Sequence, residues 1–161
     1  MDPIALISQI SDRTFAHMIT SCSRKVRDTL YARLGIKANS GGVTLQLGKK
    51  RDEQVKKLHE KFKNSDSKSE SEVCQEIIRN WLYTQRPMLK ATLDYLKVPN
   101  QDGLVETELD FFKNMSEPDA KAVFEHVSKE FEPEHVWIYL NFVEVPHVPG
   151  WLKKSEISMT R

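Results

Sequence analysis

Apolar residues recur along most of the chain at helical spacing, and the places where that spacing fails divide it into elements. Ile4, Ile7, Ile10, Phe15, Met18, Ile19, Val26, Leu30 and Leu34 fall near the helical period, so residues 4–34 are predicted helical. Ser11-Asp12 and the run Thr20 to Ser23 offer side-chain oxygens that cap new helix starts. The region is therefore one long helix or two to three shorter ones, closed by Gly35. Val43, Leu45 and Leu47 then alternate with Thr44 and Gln46 between two glycines, which is the period of a strand. The helical period returns at Val55, Leu58 and Phe62, ringed by Lys56, Lys57, Lys61 and Lys63.

The stretch from Asn64 to Glu72 is polar and serine-rich and reads as a flexible connector. Beyond it, Val73, Ile77, Ile78, Trp81 and Leu82 form one apolar face. Arg86-Pro87 marks a break, with Pro87 suited to the first turn of a helix carrying Leu89, Leu93 and Leu96. Pro99 and Asp102-Gly103 make a turn, and Thr107 is placed to cap a short helix through Phe112 and Met115. Ser116-Glu117-Pro118-Asp119 is a capping sequence ahead of Ala120, Val123, Phe124, Val127 and Phe131. Glu132 to His135 breaks the pattern again before Val136, Ile138, Tyr139, Leu140 and Val143.

The fold class this implies is mostly α: a globular bundle of several short helices with one short strand or hairpin near residues 43–47. The expected organisation is a single compact domain over residues 1–161. Within it lie a basic N-terminal sub-region 1–63, a flexible connector 64–72, a helical C-terminal region 73–145 and an extended tail 146–161.

Charge adds an asymmetry that the overall balance of +1 conceals. Residues 1–68 hold 14 basic and 7 acidic side chains, a net of +7, so the remainder carries −6. Such a split suits a polyanionic partner for the first part or attraction between the parts. No apolar run nears the roughly 20 residues needed to cross a bilayer. The first residues lack the basic segment of a secretory signal. Two cysteines, Cys22 and Cys74, cannot build a disulfide framework. A reduced, soluble, cytoplasmic chain is expected, with no membrane partner.

Candidate chemistry is sparse. Placing Gly103 at position six of a calcium loop puts Asp102 at five and Asn100 at three, but Val98 at one and Leu109 at twelve. Both ends of that cage are apolar, so the segment reads as a turn and not as a metal loop. The five histidines, His17, His59, His126, His135 and His147, show neither zinc spacing nor an i,i+4 pair. No nucleophile elbow or phosphate-binding loop is present. No catalytic residue, no metal and no cofactor is therefore expected, and the sequence favours a binding module over an enzyme.

Two binding readings remain, with a third reading behind them. The first is protein–protein interaction or self-association, with Trp137 and Trp151 as partner anchors. The second is nucleic-acid binding within residues 13–63. Here Phe15 to Ile19, the Thr20–Ser23 turn and Arg24 to Leu34 are laid on a helix-turn-helix, with Val43 to Leu47 as a wing. Arg24, Lys25 and Arg27 would then meet the groove, and Lys49, Lys50 and Arg51 would tip the wing. The third is an enzyme whose site is assembled from distant residues without a local motif.

Overall fold

The structure is a computed structural model that describes residues 1–33, 49–106 and 110–148, with side chains described except at 29–33 and 49–51. The described residues are almost wholly helical. In chain order the elements are α1 (Pro3–Gln9), α2 (Asp12–Ser21), α3 (Arg24–Arg33), α4 (Lys49–Lys63), α5 (Lys68–Thr84), α6 (Arg86–Tyr95), α7 (Asp110–Lys113), α8 (Glu117–Val127) and α9 (Pro133–Phe142). They fall into two compact units, Asp2–Thr84 and Gln85–Arg161, the second together with Met1. The strand expected at 43–47, Gly35 and the Thr107 cap lie outside the described residues. Among the described residues the extended pairing present is an isolated bridge between Gln101 and Leu104.

In the N-terminal unit the first region resolves into three helices, and local caps decide where they divide. The Asp2 carboxylate accepts from the Ile4 amide at 3.0 Å, with Pro3 in the first turn of α1. Ser11 Oγ accepts from the Thr14 amide at 3.2 Å and opens α2. Ser23 Oγ accepts from the Val26 amide at 3.3 Å and opens α3. Each cap satisfies an amide that a helix start otherwise leaves bare. α1 and α2 both pack against α4 and α5. The core between them holds Leu6, Ile7, Phe15, Met18, Phe62, Ile77, Ile78 and Trp81, all closed to solvent.

The serine-rich stretch 64–72, expected as a connector, is helical from Lys68 onward. The Ser67 carbonyl takes the first helical bond, from the Ser71 amide at 3.0 Å. Ser71 Oγ in turn donates to the Asp2 carboxylate at 2.5 Å, tying the start of α5 to the start of α1. Serines of a helix start compose like serines of a linker. The buried face of Val73, Cys74, Ile77 and Ile78 draws the preceding turn into helix.

In the C-terminal unit α8 packs against both α6 and α9. α9 buries six consecutive residues, Val136 to Asn141. A helix apolar on all sides is a core helix. The Ser116 cap forms as expected, its Oγ accepting from the Asp119 amide at 3.3 Å. The tail expected from residue 146 is anchored at its start, because Val145 and Val148 are buried and Trp137 Nε1 donates to the Val148 carbonyl at 3.3 Å.

Two helices of this unit end alike. After α6, Lys97 adopts a left-handed φ of 58° while the Val98 amide donates to Leu93 and the Lys97 amide to Asp94. After α9, Glu144 has φ 63°, with Val145 donating to Leu140 and Glu144 to Asn141. Both are Schellman closures, and each is followed by Val-Pro. Glycine usually holds the left-handed position; here a lysine and a glutamate do, so the sequence gives no glycine signal at either end.

The turn at Gln101–Leu104 reverses the chain with left-handed backbone at both Asp102 (φ 52°) and Gly103 (φ 82°), the geometry of a tight Asp-Gly hairpin turn. Its polar groups are consumed locally. Asn100 Oδ1 accepts from the Gly103 amide at 2.9 Å, and Asn100 Nδ2 donates to Asp94 at 2.9 Å. Arg86 Nε donates to the Asp102 carbonyl at 2.7 Å.

Candidate functional site

The basic residues singled out by the sequence lie on two helices. Arg24, Lys25 and Arg27 occupy the first turn of α3, which contains no acidic residue. Arg24 pairs with Asp28 at 3.8 Å, and Arg27 donates to the Thr20 carbonyl at 3.4 Å, across the turn from α2. α3 starts at Arg24 as expected, but α2 runs from Asp12 to Ser21, so Thr20 and Ser21, expected in the turn, are helical. Lys49, Lys50 and Arg51, expected at the tip of a wing, form the first turn of α4, and the wing strand itself lies outside the described residues. A helix N-terminus already carries positive partial charge, so cations there add like to like. The unit Asp2–Thr84 holds 15 basic and 10 acidic residues, a net of +5.

The tryptophans fare differently. Trp137 is 1% exposed and sits inside the C-terminal unit, so it cannot act as a surface anchor. Its error is one of period: a helix buried on every side gives no stripe to tell core from interface. Trp151 lies outside the described residues. Among the described residues, the large apolar side chains that reach solvent are others: Met1, Tyr83 on α5, and Tyr95, Leu104 and Phe111 in the C-terminal unit. Tyr95 is 40% exposed and stacks on His126 of α8, with ring centroids 4.2 Å apart and planes 22° from parallel. Sequence reading missed this pair, although Tyr95 lies one step off the Leu89, Leu93, Leu96 stripe.

A third group is interior. His59, on the buried face of α4, is fully enclosed. Its Nδ1 lies 2.6 Å from Asp12 Oδ1 of α2, and its Nε2 lies 2.8 Å from the Ile7 carbonyl of α1. The ring stacks flat on Phe15 at 4.4 Å, and Phe62 meets Phe15 edge-on at 6.0 Å. Lys63 Nζ also reaches Asp12 Oδ1, at 3.2 Å. Hydrogen bonds from His59 and Lys63 hold the Asp12 carboxyl below its usual value of 3.8. Its contribution to stability is therefore present above that value and lost as pH falls through the lowered one.

The thiols are chemically quiet. Burial pushes Cys22 up to about 11, against a small opposing pull from Arg27. Burial, reinforced by Glu70 and Asp2, raises Cys74 as well. Both stay protonated near neutral pH and are poor nucleophiles. Among the described residues, no group of three or more His, Cys, Asp or Glu side chains is placed to hold a metal ion. No described helix is long and apolar enough to cross a membrane.

The class these features define is a helical chain of two compact units whose chemistry-bearing side chains are spread among surface and core. Comparison with known proteins adds no relative: no family model matches the chain, and neither the curated proteins nor the solved structures yield a match.

Proposed function

We propose that the chain is a non-enzymatic binding module that recognises a protein surface through the C-terminal unit, with Tyr95 as the anchor. The observation that carries this reading is the exposed Tyr95–His126 stack bridging α6 and α8. An aromatic ring held rigid at the surface loses little entropy on binding and brings a large apolar area, which is why such residues dominate protein interfaces. A photo-reactive phenylalanine at position 95, introduced into the full chain in its own cells, is expected to capture one discrete partner. The same group at Lys121 should not. Tyr95→Ala should weaken that complex roughly 30-fold. Equal labelling from both positions, or an unchanged affinity, would defeat the proposal.

The positive charge at the starts of α3 and α4, offset in α4 only by Asp52, favours a second reading, binding of a nucleic acid or similar polyanion. Cations at a helix N-terminus cost stability, each on the order of 0.3–1 kcal/mol, until an anion neutralises them. If this reading holds, labelled duplex DNA binds in a strongly salt-dependent way, from the release of counterions. Reversing charge at Arg24, Lys25 and Arg27 should abolish that binding while leaving the helix content unchanged. Affinity that ignores salt, or survives the reversal, argues against it.

A further inference from the structure

His59 raises a question of proton count. Both atoms facing its ring nitrogens are oxygens, Asp12 Oδ1 and the Ile7 carbonyl. A peptide carbonyl can only accept, and an ionised carboxylate can only accept. A neutral imidazole carries one N–H and can donate once. The ring cannot turn away, because it is enclosed and held flat against Phe15. With one proton, the ring satisfies one oxygen and turns a lone pair toward the other at under 3 Å.

We propose that His59 is a pH-sensitive latch: its doubly protonated ring pins α1 through Ile7 and α2 through Asp12 onto α4, and loss of one proton releases that corner. The proton leaves to solvent from Nδ1 or Nε2, and the bond it made is lost with it.

α1 contains no titratable side chain. α2 contributes Asp12, and also carries Arg13 and His17, the latter accepting from Trp81 Nε1. α4 itself contributes Lys63, which pairs with Asp12 at 3.2 Å and with Glu60 at 3.6 Å. α5, packed on α1 and α2, brings Glu70, which pairs with Lys61 at 3.7 Å. Release follows a rise in pH: the latch is closed where the ring holds both protons and opens as one is removed.

Two measurements on the full chain test this. The first follows the His59 ring nitrogens by heteronuclear NMR against pH. Both should be protonated at the acid end of the folded range, and loss of one as pH is raised should coincide with faster exchange of the amides of α1. A ring singly protonated from pH 5 upward overturns the proposal. The second compares melting of the wild type with Asp12→Asn. The asparagine amide can donate to an unprotonated Nδ1 while Nε2–H keeps the Ile7 carbonyl, so this variant suits the neutral ring. As pH is raised through the loss of that proton, the wild-type Tm should fall about 5 °C further than that of the variant. Parallel curves would refute the latch.

Discussion

Gly103→Ala is expected to destabilise the C-terminal unit by about 3 kcal/mol, the sum of a left-handed backbone penalty and an overpacking penalty. At φ 82° an L side chain is strained wherever it points. Here it also has no space: an added Cβ would lie 2.8 Å from the Arg86 carbonyl oxygen and 2.9 Å from the Lys90 amide nitrogen. Both are backbone atoms of α6, which cannot swing aside as a flexible side chain can. The Asp-Gly turn is seated directly on the helix, and glycine is what lets the two backbones meet. Urea unfolding should show the midpoint falling while the m-value holds. Gly103→Asn separates the two causes. Asparagine tolerates left-handed backbone, so a loss as large as that of alanine assigns the cost to the contact. A loss below about 1 kcal/mol for alanine would mean that α6 yields and the seating is loose.

The second large effect is expected at Trp81, where substitution by alanine should cost the N-terminal unit about 4 kcal/mol. The indole is completely buried in α5. Its Nε1–H donates to His17 Nδ1 at 3.2 Å, and the rings meet edge to face at 6.5 Å. Alanine therefore leaves a cavity, while the exposed His17 can turn to water for the lost hydrogen bond. A domain of this size has only about 5–10 kcal/mol in all, so the variant should be largely unfolded at growth temperature. Trp81→Phe keeps most of the apolar volume and should lose about 1–2 kcal/mol, chiefly the hydrogen bond and a small void. Thermal melts followed by circular dichroism check both. If alanine and phenylalanine lose the same amount, the hydrogen bond and not the packing is what matters there.

Local chemistry decided what the sequence could show. The starts of α2, α3 and α8 were legible because Ser11, Ser23 and Ser116 cap within three residues of themselves. The break at Pro87 was legible for another reason: proline fits the first turn of a helix, and Gln85 makes no side-chain cap there. The start of α5 was not, since the same serines serve linkers and helix caps. The closures at Lys97 and Glu144 were not, because neither position carries the expected glycine. His59 was passed over as one of several scattered histidines. Its partners lie 47 and 52 residues away in the chain. One signal was available: position 59 falls on the buried stripe of Val55, Leu58 and Phe62, in a helix otherwise crowded with lysine. Of the site residues expected from sequence, the basic set lies at helix starts and Trp137 lies in the core. The exposed Tyr95–His126 pair needed the fold to bring two helices together.

The packing of α1 and α2 against α4 and α5 also has a consequence in time. A ribosome makes the first two helices long before their partners exist. Helices of seven and ten residues are too short to persist alone in water. The apolar faces of Leu6, Ile7, Phe15 and Met18 must then wait, uncovered, until the chain through Thr84 has emerged. The interval between those events is when nascent chains of this protein are most open to chaperone capture and to aggregation.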